Sequence, residues 1–139
     1  MTDSYILVKI TMVKKTLIIT DGTESIHSAA LLIEGVLSAY KVKICEIGDF
    51  SGTDLLPAEF FFIGCEKPNQ QSFSYLEELL THINLASRKC GIFSTNEKTI
   101  KYLNSILKDS EVFVGQPLLI ENDCKEAVVK NWVDEILKG

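Results

Sequence analysis

Short apolar stretches alternate with longer segments of helical periodicity along this chain from residue 16 onward. The apolar stretches are typical of strands buried in a sheet and lie at 16–20, 42–47, 60–64, 90–94 and 112–120. Apolar residues spaced three or four apart indicate one buried face on each of four helices, at 26–40, 73–83, 100–107 and 127–137. Because right-handed crossovers place helices against a sheet, this alternation predicts a doubly wound α/β domain. We expect a five-stranded parallel sheet in the order 2-1-3-4-5, with helices on both faces.

Residues that break or cap regular structure set several boundaries. The segment 50–58 contains Gly52 and Pro57 and is predicted to be a loop. Asn96 follows the fourth strand and is a candidate N-cap for the next helix, because its side-chain oxygen can accept a backbone N–H. These residues therefore separate the strands from the helices that follow them.

The last part of the chain contains three further signals. Pro117 interrupts the fifth strand and lacks an amide hydrogen, so this strand is predicted to lie at an edge or to contain a bulge. The final helix is predicted to start near Asn122 or Asp123. Trp132 lies on its apolar stripe, and we predict that it packs in the core.

Length and composition favour a single globular domain at 13–139, preceded by an N-terminal extension at 1–12. The net charge of -5 opposes nucleic-acid binding, which depends on clustered Lys and Arg. The longest apolar runs, 29–33 and 60–63, are far short of the ~20 residues of a membrane helix. We find no signal-peptide pattern at the N-terminus and expect a cytoplasmic protein without a membrane partner.

The cysteines do not indicate a metal site. They form no CxxC pair and have no histidine at ligand spacing, and they are Cys45, Cys65, Cys90 and Cys124. Cys65 alone ends a strand at the edge where ligands bind, but only Lys67 nearby would lower its pKa. We therefore expect reduced, structural thiols and no metal.

The turn after the first strand has two interpretations. The segment 20–25 reads Thr-Asp-Gly-Thr-Glu-Ser and leads into the first helix. Its amides and hydroxyls could hold a phosphate at the positive end of the helix dipole. Alternatively Asp21, Thr23 or Ser25 could cap the helix without any ligand. Ligands in such sheets bind beyond the carboxyl ends of the strands, so the loops at 65–72 and 95–98 are the other candidates.

Together, the order of elements, this turn, the FFFIGC end of the third strand and the Trp in the final helix resemble the flavodoxin family over residues 14–137. Flavodoxins bind flavin mononucleotide (FMN) noncovalently and carry electrons. Their phosphate loop reads hydroxyl-x-Thr-Gly-x-Thr. Aligned on its outer hydroxyls, Thr20 and Ser25 match, but the central Thr-Gly is replaced by Gly22 and Thr23. Aligned on its glycine, Gly22 matches, but Asp21 and Glu24 replace the threonines.

The resemblance implies a flavodoxin-like fold and two groups of cofactor-binding residues. The phosphate would be held by the turn residues Thr20, Asp21, Gly22, Thr23, Glu24 and Ser25. The flavin ring would be bordered by residues of the next two loops, namely Cys65, Glu66, Ser94, Thr95 and Asn96. Flavodoxins commonly stack aromatic side chains on the ring, whereas 65–72 and 94–99 contain none.

Two functions follow from these patterns. The first is an FMN-binding electron carrier, rather than an enzyme with its own substrate, whose acidic surface steers a basic redox partner. The alternative is a flavin-free binding module that kept the scaffold and lost the cofactor, which accounts better for the altered turn. No catalytic Ser/His/Asp set or dinucleotide-binding glycine motif is present in the sequence.

Overall fold

The computed structural model describes residues 15–49, 51–68, 70–108, 110–121 and 125–138. The predicted N-terminal extension and Cys124 lie outside these residues. The strands are β1 (Lys15–Thr20), β2 (Lys41–Glu46), β3 (Phe60–Gly64), β4 (Lys89–Ser94), β5 (Phe113–Val114) and β6 (Leu118–Leu119). The helices are α1 (Glu24–Val36), α2 (Gly52–Leu55), α3 (Gln70–His82), α4 (Glu97–Leu107) and α5 (Glu126–Lys138).

All strands pair in parallel, in the order β2-β1-β3-β4-β5, with β6 also paired to β4. β5 pairs with the start of β4, and β6 pairs with its end at Phe93 and Ser94. The two short strands therefore form one interrupted edge strand, and Pro117 lies in the interruption. The predicted strand order and the edge position of this segment are confirmed.

Helices cover both faces of the sheet, as predicted. On one face α2, α3 and α4 pack over a core that includes Leu17, Phe61 and Ile92. On the other face α1 and α5 pack over a core that includes Ile18 and Phe62. The mostly buried strands β1, β3 and β4 separate the two cores, which explains their continuous apolar runs.

Trp132 belongs to the second core, as predicted. It is 8% exposed, and its ring meets Phe62 and Phe93 at steep angles, with centroids 5.6 and 6.1 Å away. The indole N–H donates to the backbone oxygen of Gln116 at 2.6 Å. This bond ties α5 to the interruption between β5 and β6, and it gives the buried indole the hydrogen-bond partner that it needs.

Two boundaries differ from the predictions. The segment predicted to be only a loop contains helix α2, which starts where the Asp54 carboxylate accepts the Ser51 N–H at 3.1 Å and which buries Leu55. A single turn is too short to show helical periodicity, so the pattern missed it. The final helix starts at Glu126, whereas the start was predicted near Asn122 or Asp123, which lie outside the described residues. The predicted cap at Asn96 is confirmed, because its side-chain oxygen accepts the Lys98 N–H at 2.9 Å.

Candidate functional site

The candidate site lies at the carboxyl edge of the sheet, where the loops after β1, β3, β4 and β6 meet. A crevice of about 610 Å³ separates the loops after β3, β4 and β6. A second, open groove of about 660 Å³ runs beside the ends of β1 and β2 and includes Gly22, His27 and Glu46. The predicted phosphate turn lies between β1 and α1 and contacts the loop after β3 through side chains.

The turn has the backbone of a helix start. Gly22 has φ of +81°, a left-handed conformation that glycine adopts without a Cβ penalty. Thr23 is the N-cap of α1, but its side chain makes no capping hydrogen bond. Instead its hydroxyl donates to the Asp21 carboxylate at 2.6 Å. The hydroxyl of Thr23 therefore points back into the turn.

Asp21 is the centre of this arrangement. One carboxylate oxygen accepts the backbone N–H and the hydroxyl of Thr23, at 3.1 and 2.6 Å. The other oxygen accepts the backbone N–H of Glu66, which is 45 residues away in the sequence, at 2.8 Å. Both oxygens are thus bound inside the protein. The carboxylate points inward and joins the turn to the loop after β3.

Two further carboxylates surround the same turn. Ser25 donates its hydroxyl to the Glu66 carboxylate. A Cβ built on Gly22 would lie 2.1 Å from a carboxylate oxygen of Glu46, so this side chain lies directly against the Gly22 backbone. The turn is therefore bordered by carboxylates of β2 and of the loop after β3, as well as by its own Asp21.

These residues do not fit a bound phosphate monoester. The hydroxyls of Thr23 and Ser25, which would donate to a phosphate, donate to carboxylates instead. Two unit negative charges about 4 Å apart repel by about 4 kcal/mol at the effective dielectric near a protein surface. The carboxylates of Asp21, Glu46 and Glu66 already supply negative charge to this turn. A dianionic phosphate there would therefore be repelled by more than one carboxylate.

The residues predicted to border a flavin ring are divided between the crevice and the interior. Glu66, Thr95 and Asn96 line the crevice. By contrast Cys65 and Ser94 are fully buried, and the Ser94 hydroxyl donates to the Cys65 backbone oxygen at 2.5 Å. Their side chains therefore support the loops from below and do not face the crevice.

Residues at the end of β6 and directly after it also line the crevice, namely Leu119, Ile120 and Glu121. They were not among the site residues predicted from the sequence. The available signal was their position at the carboxyl end of a strand next to β4. The described residues that line the crevice include no aromatic side chain. The nearby Tyr102 instead donates to the Glu77 carboxylate at 2.6 Å, between α4 and α3.

The loop after β3 is bound by hydrogen bonds to the turn after β1, to β4 and to α4. Asp21 and Ser25 of the turn bond to Glu66, and the Ser94 hydroxyl of β4 donates to the Cys65 backbone oxygen. The Thr99 hydroxyl of α4 donates to the Glu66 backbone oxygen at 2.6 Å. The Ser94 hydroxyl also accepts the backbone N–H of Asn96 at 3.0 Å. The ends of β1, β3 and β4 are therefore connected by one continuous set of hydrogen bonds.

The thiols near the site are not nucleophiles at neutral pH. Burial raises the pKa of Cys65, and the neighbouring carboxylates of Asp21 and Glu66 raise it further. Burial also raises the pKa of Cys45 to about 11. With these raised pKa values both thiols stay protonated at neutral pH. They are therefore unreactive, because the thiolate is the reactive form.

The described part of the chain contains neither a candidate metal site nor a candidate membrane span. Within these residues no group of three or more His, Cys, Asp or Glu side chains could hold a metal ion. None of the helices built from them is long and apolar enough to cross a membrane.

Comparison with known proteins identifies the fold. No protein-family model and no curated protein matches the sequence. Among solved structures, a short-chain flavodoxin associated with a non-canonical PDU bacterial microcompartment matches with a TM-score of 0.78 at 12% identity, over 91% of this chain and 98% of that one. Flavodoxin 2 from Bacillus cereus matches with a TM-score of 0.74 at 20% identity, over 89% and 98%.

A longer protein contains the same arrangement. The flavodiiron core of Flv1 from Synechocystis matches 99% of this chain with 40% of its own, at a TM-score of 0.71 and 12% identity. Identities this low speak for the fold and not for the activity. The resemblance expected from the sequence is thus confirmed at the level of architecture: this chain has the flavodoxin-like fold.

Proposed function

We propose that this chain is a flavin-free flavodoxin-like module that binds a partner protein at the carboxyl edge of its sheet. One observation carries the proposal: in the turn where a flavodoxin would hold the FMN phosphate, the Asp21 carboxylate accepts two hydrogen bonds from Thr23 and a third from the Glu66 N–H of the loop after β3. The absence of aromatic side chains among the described crevice residues supports it, because nothing there would stack on a flavin ring.

The charge of this edge indicates the kind of partner. Carboxylates outnumber lysines among the described residues at the strand ends, in the loops that follow them and in the first two positions of the next helices. The acidic residues are Asp21, Glu24, Glu46, Asp49, Glu66, Glu97, Glu121 and Glu126, and the lysines are Lys67, Lys98 and Lys125. Such an edge attracts a basic protein surface and speeds its association at low ionic strength. We therefore propose a partner with a basic face.

Flavin titration tests the first half of the proposal. The purified protein is expected to be colourless, and it should leave the fluorescence of added FMN unchanged up to high micromolar protein. Riboflavin, which lacks the phosphate, should behave in the same way. A yellow protein, or stoichiometric quenching of FMN fluorescence, would contradict the flavin-free assignment.

Charge variants test the second half with a small basic protein as the probe. We expect weak, salt-sensitive binding to wild type that is lost in the triple variant Asp49→Asn, Glu97→Gln and Glu121→Gln. The matched control neutralises three exposed carboxylates away from this edge, Glu34→Gln, Glu111→Gln and Glu135→Gln. Equal losses of binding in the two triple variants would show that net charge matters and the edge does not.

The fold itself favours a second candidate, an FMN-binding electron carrier that serves a redox partner with a basic face. Its supporting observation is the crevice at the carboxyl edge of the sheet, bordered by Glu66, Thr95 and Asn96, in a chain whose structural neighbours are flavodoxins. A carboxylate of Glu66 beside the ring would disfavour an anionic reduced flavin. The same titration distinguishes the candidates, because only the carrier quenches FMN fluorescence at one equivalent.

A further inference from the structure

We infer that Asp21 is a built-in anion of this fold: its carboxylate accepts the N–H and the hydroxyl of Thr23 in the turn after β1, locks that turn to the loop after β3 through the Glu66 N–H, and thereby excludes phosphate monoesters. The inference rests on the proposed function, because a phosphate in this turn would need the donors that Asp21 uses. Asp21 is then a residue that determines which ligands this module excludes.

The geometry requires a carboxylate at this position. Its two oxygens accept from opposite sides, one from the N–H and hydroxyl of Thr23 and the other from the Glu66 N–H. An asparagine has a single acceptor oxygen and could satisfy only one of these sides. A serine is too short to reach the Glu66 amide. Only a carboxylate therefore bridges the two loops with all of these donors satisfied.

The bridge also places a negative charge at the start of α1. The first amides of a helix carry a partial positive charge, which attracts anions. Thr23 leaves these amides without a side-chain cap, and the Asp21 carboxylate lies two residues before the helix start. The charge that a phosphate would supply is thus supplied within the chain.

The Glu66 carboxylate acts together with Asp21 to exclude phosphate from the turn. The Glu66 amide that Asp21 binds belongs to the residue whose side chain accepts the Ser25 hydroxyl. Fixing the Glu66 backbone therefore also places its carboxylate against the turn. Without the bridge, the Glu66 side chain would be freer to leave, and the Ser25 hydroxyl would be free to donate to another group.

Asp21→Ser tests the inference, with Glu24→Gln as the control that removes one exposed carboxylate from the same turn without touching the bridge. Two readouts are needed: hydrogen exchange of the Glu66 amide by NMR, and the affinity for inorganic phosphate from the phosphate dependence of Tm, against chloride of equal ionic strength. Asp21→Asn serves as a second variant that keeps an acceptor for Thr23 if the serine variant does not fold.

We expect the Glu66 amide to exchange at least ten times faster in Asp21→Ser than in wild type or Glu24→Gln. Phosphate should raise the Tm of Asp21→Ser and bind it at least ten-fold more tightly than wild type. Asp21→Asn should show the faster exchange at Glu66. Unchanged exchange, or phosphate affinity equal to that of wild type, would overturn the inference. These results are distinguishable from a failure of the proposed function, whose flavin-free half falls if wild-type protein binds FMN.

Discussion

Thr16 is a buried polar residue whose hydroxyl has no hydrogen-bond partner among the described residues. It is 2% exposed and lies in β1 between β2 and β3. A buried hydroxyl without a partner costs about 1–3 kcal/mol relative to an apolar group of the same shape. Replacing the hydroxyl with a methyl group should therefore stabilise the protein.

We predict that Thr16→Val raises the free energy of unfolding by about 1 kcal/mol, measured by urea denaturation. The matched control is Thr99→Val, which changes a threonine of equal burial whose hydroxyl donates to Glu66. This control should lose stability because it leaves the Glu66 oxygen without that donor. If the free energy of unfolding changes in the same direction in both variants, the Thr16 hydroxyl does not differ from the Thr99 hydroxyl in the way proposed.

The Cys65 thiol illustrates how a residue at a site edge can still be inert. Its pKa is raised by burial and by two carboxylates, so the thiolate is scarce at neutral pH. Iodoacetamide at neutral pH should leave Cys65 unmodified in the native protein and modify it after unfolding, as read by peptide mass mapping. Modification at the rate of an exposed cysteine would show that the loop after β3 opens readily.

The stability of helix α2 depends on pH through Asp54. The Asp54 carboxylate accepts from Lys43 of β2 at 2.6 Å and from the Ser51 N–H. The bond from Lys43, followed by that from Ser51, lowers the pKa of Asp54. A carboxyl group with a lowered folded-state pKa stabilises the protein above its unfolded pKa of about 3.9, and this contribution is lost as pH falls through the folded-state pKa.

We therefore predict that Asp54→Asn lowers the free energy of unfolding at pH 7 and has little effect at a pH below the folded-state pKa of Asp54. The control is Asp49→Asn, an exposed carboxylate at the other end of the same connection. It should change stability little at either pH. The measurement is urea denaturation of all three proteins at both pH values. If Asp54→Asn changed the free energy of unfolding equally at both pH values, the charge of the Asp54 carboxylate would not contribute to stability.

At the scale of the whole molecule, stability depends on close contact between the sheet and the helices on each face. Gly91 lies in β4, where a Cβ would come within 2.7 Å of Phe62 and 2.6 Å of Ile136. The missing side chain at Gly91 thus gives room for a neighbouring strand and for α5. Gly35 lies in α1 and has nothing within 4 Å of its Cβ position.

Alanine at these two glycines should change the free energy of unfolding in opposite directions. Gly91→Ala should lower it by about 1–3 kcal/mol because it overpacks the core. Gly35→Ala should raise it by about 0.5–1 kcal/mol because alanine is the better helix former. Trp132 fluorescence reports the core next to Gly91, and circular dichroism reports the helices. We expect the two signals to give the same midpoint for each variant if the faces unfold as one unit.

The sequence alone determined the architecture, because hydrophobic periodicity depends on which face of an element meets the core. A period near two or a continuous apolar run indicated each main strand, and spacings of three and four indicated each long helix. With right-handed crossovers, that order of elements leaves few topologies, so the strand order and the edge of the sheet that forms the site were predictable. The four-residue helix α2 was missed because one turn has no period.

The tertiary structure alone decided what that edge can bind. The sequence placed Asp21 in the turn, but the direction of its carboxylate depends on the Glu66 amide, 45 residues away. In the same way, burial of Cys65 and Ser94 followed from the pairing of β3 with β4. Local patterns encode which residues turn toward a core. They do not encode which distant donor a side chain will reach, since that distance exists only once the strands have paired.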